Sequence, residues 1–267
     1  MTDSNDWGVS GGGAEIYETV FVPAMMGEWA SRAVTLASPQ AGMHVLDVAA
    51  GTGALTRLAA KSVGPSGRVV GLDLNSDMLD VARTIAREPT SAPIEWRAGD
   101  VSAVPFDDES FDVVFCAFGL MFFPDRVGAL KEMRRVLRRD GRVVLMVWGS
   151  IRKCPGQLAM KESWTRHFGA DEAGLFDRQH SLGDPAAVRS LIDDAGFRET
   201  DVQEAEGFVR LQSAADLARG YGAMAEVQAD ERTRMAVIGE VTTALKPYVG
   251  ADGLAYPIEA ILATARK

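Results

Sequence analysis

The feature that most constrains this chain is an apolar run, Val45-Leu46-Asp47-Val48, that passes directly into Ala49-Ala50-Gly51-Thr52-Gly53 and then into a helical pattern beginning near Thr52. A short apolar run closed by a glycine turn reads as a buried strand, and glycine there lets backbone approach a ligand closely or adopt positive φ. Four further runs repeat the pattern: RVVGLD (68–73), IEWRAG (94–99), FDVVFC (111–116) and RVVLMVW (142–148). Helical periodicity fills several of the gaps. Ser76 is a candidate N-cap before Met78, Leu79, Ala82 and Ile85, and Leu130, Met133 and Leu137 repeat ahead of Gly141. Strands alternating with helices pair in parallel through right-handed crossovers. With two later strands near Thr200–Leu211 and Tyr256–Thr264, the expectation is an α/β, Rossmann-like fold. Its sheet is seven-stranded and mostly parallel, helices cover both faces, and ligands bind outside the carboxyl ends of the strands.

The flanks divide the chain into three parts. Residues 1–36 form a loose polar start followed by lid helices, in which Ile16, Val20, Met25, Trp29 and Ala33 share a face and Pro23 is expected to split the helix in two. Residues 37–150 form the ligand-binding core. Residues 151–267 supply an inserted helical cap (Pro155–Phe168, Ser213–Leu245), a helix capped by Asp184-Pro185, and the C-terminal strands.

Charge narrows the partners. A formal net charge of −9 disfavours nucleic acid and anionic membrane, which demand a basic face. Arg134, Arg135, Arg138 and Arg139 suit a helix C-terminus and read as a solvated face, not a phosphate site. The two cysteines, Cys116 and Cys154, have no CxxC spacing, so neither a disulfide framework nor a metal site is expected. No signal peptide or membrane span is read, and the expected location is cytoplasmic.

Asp73 ends the second apolar run and Asp100 follows the third, on the same sheet edge as the glycine turn. A carboxylate at the second strand end can accept hydrogen bonds from a ribose diol, and one at the third can accept from the exocyclic amine of adenine. Together they describe an adenosine pocket.

The ordered segments VLDVAAGTG, VVGLDLN, AGDVSAVPFDDESFDVVFCAFGLMFFPD and LRRDGRVVLMVWG resemble class I S-adenosylmethionine-dependent methyltransferases, in particular the ubiquinone/menaquinone C-methyltransferase-like branch, over residues 43 to 148. The resemblance implies S-adenosyl-L-methionine as cofactor. Asp47, Ala49, Gly51 and Gly53 would line its methionine end, and Asp73 would hold the ribose. Leu74 and Met78 would flank the adenine, whose polar edge would meet Gly99, Asp100 and Val101. Cys116 and Tyr17 would close on the amino-acid part.

Each residue has a plainer reading beside the functional one. Asp47 can tie a strand end to a nearby amide, Asp100 can serve as an ordinary turn residue, and a buried cysteine such as Cys116 behaves as a small hydrophobe. Phe118, Met121, Phe122 and Phe123, joined by Trp148 and Trp164, are equally a packed core or an acceptor pocket. His167 and His180 in the cap are candidate general bases, with Tyr17, Glu15 and Glu18 as alternatives, while His44 reads as a surface residue. The expected activity is in-line methyl transfer to a small, largely apolar or aromatic acceptor. A non-catalytic cofactor sensor or interaction scaffold is the alternative. A nicotinamide dehydrogenase is the remaining one, and Thr56 stands where its third glycine belongs.

Overall fold

A computed structural model describes residues 7–85, 89 and 91–267; the start of the polar segment, residues 1–6, lies outside them. Among the described residues eight strands make one sheet: β1 His44–Val48, β2 Arg68–Asp73, β3 Ile94–Ala98, β4 Phe111–Ala117, β5 Leu137–Trp148, β6 Arg198–Leu211, β7 Val249–Gly250 and β8 Gly253–Arg266. Their order is β3-β2-β1-β4-β5-β8-β6, with β7 a two-residue strand folded back on β8. The β3–β2–β1–β4–β5 pairs are parallel and β8 runs antiparallel between β5 and β6.

The apolar runs become the parallel strands, of which β3, at one edge, stays partly exposed and the inner ones are covered on both faces. In β1, β2 and β4 nearly every residue is buried, as parallel strands between two helical layers require. Edge strand β6 instead exposes most of its length and carries charged residues, among them Glu199, Asp201, Glu204 and Glu206. The helices on the sheet are α2 Gly27–Ala37, α3 Ala54–Val63, α4 Ser76–Thr84, α5 Arg126–Val136 and α8 Pro185–Asp194, while the short α1 Gly13–Ile16 packs on other helices. Four more, α6 Pro155–His167, α7 Ala170–Gln179, α9 Ala214–Met224 and α10 Glu231–Leu245, pack on one another: α6 against α7 and α10, and α10 against α9.

Three local expectations change. Pro23 does not divide the N-terminal helix. Residues Tyr17–Met26 adopt the wider π-type winding between α1 and α2, ending with the Gly27 amide donating to the Val22 carbonyl. That winding carries the helix past a residue with no N–H to donate. The helix after the glycine turn starts at Ala54, because Gly53 at φ +85 is still left-handed. The cap of α4 is Asn75, whose side chain accepts from the Asp77 amide at 2.9 Å, so Ser76 becomes the first helical residue.

Candidate functional site

The carboxyl ends of β1, β2, β3 and β4 open on one cleft of about 430 Å3, where the strand order reverses between β1 and β4. Nucleoside-sized ligands occupy clefts of this size and position. Its floor is Ala49 and Gly51. Asp73, Leu74 and Met78 line the cleft after β2 and Gly99, Asp100 and Val101 after β3, with Phe118 and Phe122 at the end after β4. These predicted residues, from four separate segments, meet in one place.

The two acids differ in how they are held. Asp73 Oδ2 accepts the Gly51 amide at 2.7 Å and Oδ1 accepts the Asn75 amide at 2.8 Å, so its carboxylate is oriented by backbone from two loops. Asp100 lies at the rim, where Oδ1 accepts the Ser102 amide at 2.8 Å. Hydrogen bonds from Ser102 hold its carboxyl below the usual carboxylate range.

Asp47 does not reach the cleft. It faces a recess of about 30 Å3 beneath it, which shares Tyr17, Ala49, Ala117 and Phe118 with the cleft. Asp47 is buried, and Thr56 Oγ1 donates to it at 2.6 Å. Burial pushes its pKa up to about 7, the neighbouring Asp73 adds to the rise, and the Thr56 hydrogen bonds oppose it. Tyr17 spans both cavities; burial, then the carboxyls of Asp73, Glu18 and Asp47, hold its phenol in the neutral form.

Tyr17 is placed there by a polar latch that sequence reasoning missed. Glu18 accepts from Thr52 Oγ1 in the glycine turn and from Arg57 Nη2 at 2.9 Å, while Arg57 Nη1 donates to the Thr52 carbonyl at 2.6 Å. Glu18 is therefore occupied as a structural acid, and Glu15 accepts the Gly12 amide at the start of α1. The only sequence signal was the run of acids at the head of an amphipathic helix.

Gly53 lines neither cavity. A Cβ there would lie 2.2 Å from the Trp96 ring, and one on Gly71 would lie 2.5 Å from the same indole. Both glycines make room for a tryptophan reaching over from β3. Ala49 (φ +57) and Phe118 (φ +59) are non-glycine residues in the left-handed region, both at the cleft. Strain of this kind concentrates at functional sites.

Of the predicted acceptor-pocket residues, Phe118, Phe122 and Phe123 line the cleft. Trp148 stands behind Phe118, with ring centroids 3.8 Å apart and planes at 19°. Met121 is buried in the turn after β4. Trp164 packs edge-on against Phe168 and Phe176 within the helical layer, apart from both cavities. Cys116 is fully buried, and burial, then Asp47, pushes its thiol up to about 12, the opposite of an activated nucleophile.

Neither cap histidine lines the cleft or the recess. His167 Nε2 pairs with Glu240 Oε1 at 2.9 Å, tying α6 to α10. His180 Nδ1 pairs with the Gly149 carbonyl at 2.8 Å, and burial lowers its pKa. Arg135 of α5 is likewise engaged: it bonds Glu132, Asp108 and the Phe106 and Val104 carbonyls. Arg138 and Arg139, expected at a helix C-terminus, fall in β5 because α5 ends at Val136, and Arg138 bonds Asp112.

A sequence model of the ubiE/COQ5 methyltransferase family matches residues 20–210. The chain belongs to that family. Among curated relatives, the demethylmenaquinone methyltransferase of Lactobacillus johnsonii is 41% identical over 130 residues, 48% of this chain and 52% of its own length. The ubiquinone/menaquinone biosynthesis C-methyltransferase UbiE of Idiomarina loihiensis is 30% identical over 210 residues, covering 72% of this chain and 79% of that protein. The first three such relatives are matched over about half of their length, 46% to 52%. Among solved structures, a phosphoethanolamine N-methyltransferase of Haemonchus contortus, in complex with S-adenosyl-L-methionine, superposes with a TM-score of 0.61 at 17% identity, over 95% of this chain and 56% of that one. The shared Rossmann-like architecture is the expected one. Among the described residues no helix is long and apolar enough to cross a membrane.

Proposed function

We propose that this chain is an enzyme that takes S-adenosyl-L-methionine into the cleft and transfers its methyl group to a small, largely apolar ring compound. The observation that carries the reading is the convergence, on one nucleoside-sized cleft, of an oriented Asp73 carboxylate, the Gly51 turn and the Asp100 rim. The residues fit the cofactor's chemistry. Asp73 has lone pairs left for a ribose diol, and Leu74 and Met78 offer apolar faces to a purine. Asp100 stands at its amine edge, and Asp47, buried below, suits a cationic amino group.

The cofactor supplies an already electrophilic methyl group on sulfonium. What remains for the chain is to orient the acceptor and exclude water, and orientation supplies on the order of 7 kcal/mol in favourable cases. Tyr17 and the latched N-terminal helix cover the glycine turn, while Phe118, Trp148 and Trp29 dry the side facing β5. The relatives are methyltransferases of menaquinone and ubiquinone biosynthesis, and a quinone-type ring agrees with the apolar rings at this end of the cleft. Neither cap histidine stands at the cleft, so the reading assigns no general base to them.

Both cysteines are free and buried, which suits a reducing compartment and a cytoplasmic protein. Calorimetry with S-adenosylmethionine and S-adenosylhomocysteine, with NAD as control, tests the cofactor assignment. Micromolar binding of the pair and none of NAD supports it; no binding of the pair turns the chain into a scaffold. Transfer of radiolabelled methyl to a hydroxylated aromatic ring then tests the chemistry.

A further inference from the structure

The cleft has the volume of one nucleoside-sized ligand, and the adjoining recess, at about 30 Å3, holds roughly two waters. A recess of that size seats no ring, so an acceptor ring placed at the Asp47 end of the cleft needs space that a side chain now occupies.

Three rings fill the ground between the end of β4, the end of β5 and α2. Trp148 and Phe118 stack at 3.8 Å, and Trp29 meets both edge-on at 6.1 and 6.2 Å. Two of the three are fixed. Trp29 is fully buried, seated where a Cβ on Gly207 of β6 would lie 2.6 Å from its ring, with the Arg32 guanidinium 4.5 Å from its centroid. Trp148 belongs to β5, paired on one side with Ala260 of β8. Phe118 differs. It follows the last residue of β4, is held in the left-handed region at φ +59, and fronts both the cleft and the recess.

Resting on the methyltransferase reading above, we propose that the Phe118 ring is a displaceable plug occupying the acceptor's seat. The acceptor's own planar ring replaces it face-to-face on Trp148, with Trp29 as the edge wall. Phe118 and Trp148 already stack with their planes at 19°, so a planar ring in the same place keeps an aromatic contact with the indole. The pair therefore selects flat rings over branched aliphatic acceptors, and Trp148 is a specificity-determining residue.

The test uses 2-naphthol as a flat, soluble probe, with binding followed by its own fluorescence, with and without S-adenosylhomocysteine. Phe118→Gly removes the ring at a backbone conformation glycine adopts freely, so the variant should fold, which thermal melting checks. F118G should bind the probe at least about tenfold more tightly than the unaltered chain, about 1.4 kcal/mol. F118G/W148L should lose that gain. Equal affinity in F118G and the unaltered chain, or a gain that survives W148L, overturns the plug. Failure of the unaltered chain to bind S-adenosylhomocysteine counts against the methyltransferase reading alone, because the probe measurement stands without the cofactor.

Discussion

Asp73 Oδ2 accepts the Gly51 amide at 2.7 Å, joining the end of β2 to the glycine turn after β1. One carboxylate thus shapes the cleft floor and presents its remaining lone pairs to whatever lies on it. Asp73→Ala removes both roles and should weaken S-adenosylhomocysteine binding by about 1.5 to 3 kcal/mol, the range for hydrogen bonds to a charged group. Asp73→Asn keeps an acceptor for Gly51 and should lose less. Unchanged calorimetric affinity in D73A would refute the ribose assignment.

The raised pKa of Asp47 has a sign that can be checked. Its folded-state value of about 7 lies above the ordinary 3.8, so the cofactor-free protein keeps this proton longer than the unfolded chain does. The group's contribution to stability therefore falls as pH rises from 3.8 to about 7 and is level beyond. A cationic ligand works the other way, because it binds the ionised form best. Affinity for S-adenosylmethionine should rise between about pH 6 and pH 8 and become flatter in Asp47→Asn. A flat profile in the unaltered chain sinks the assignment of Asp47 to the amino-acid end.

Gly71 and Gly53 both accommodate the Trp96 indole. Gly71→Ala should overpack the site and cost about 1 to 3 kcal/mol in denaturant unfolding, with no loss of a cofactor contact. Trp96→Leu in the same chain should recover part of that cost. A G71A variant as stable as its parent would show that the indole moves aside freely.

The Glu18–Arg57 pair latches the N-terminal helix to the glycine turn, with both side chains about four-fifths buried. Glu18→Ala should raise protease susceptibility between residues 13 and 26 and weaken S-adenosylhomocysteine binding several-fold, since Tyr17 is then no longer held over the cleft. Identical proteolysis in both proteins would show that the apolar face of the helix holds it without the latch.

His167 pairs with Glu240, which also accepts from Ser163 and Arg166. Burial raises the Glu240 pKa, but the hydrogen bonds from Arg166, Ser163 and His167 outweigh it and bring the value to about 2. A lowered carboxylate pKa stabilises above the unfolded value of 4.5 and is lost as pH falls toward 2. Glu240→Gln should therefore lower the melting temperature at neutral pH and blunt the acid limb of the stability profile. His167→Ala should lower melting temperature while leaving methyl transfer at the parental rate; a turnover loss without a stability loss would restore His167 as a base.

Much of the fold was readable along the chain. Alternating apolar runs and helical patterns dictate parallel strands covered on both faces, and each run from Val45 to Trp148 became a strand of the sheet. The helical path through Pro23 was not readable, because π-type winding depends on what the helix packs against more than on its own residues. The Asn75 cap was missed for a simpler reason: adjacent Asn75 and Ser76 are both good caps, and which one sits at the boundary is decided by where β2 releases the chain.

The sequence by itself determined the cleft, since a strand, a glycine turn and acids at successive strand ends are local features that a parallel sheet must bring to one edge. Tertiary structure alone decided the depth and partners of each group. Asp47, read at the methionine end of the cofactor, became a buried carboxyl at about 7, and Asp73, read at the ribose, became a backbone-held carboxylate at the cleft. Gly53 answered to Trp96, forty-three residues on, and Phe118 came to rest on Trp148. Desolvation and ring contact depend on which atoms approach through space, and no spacing along a chain encodes that directly.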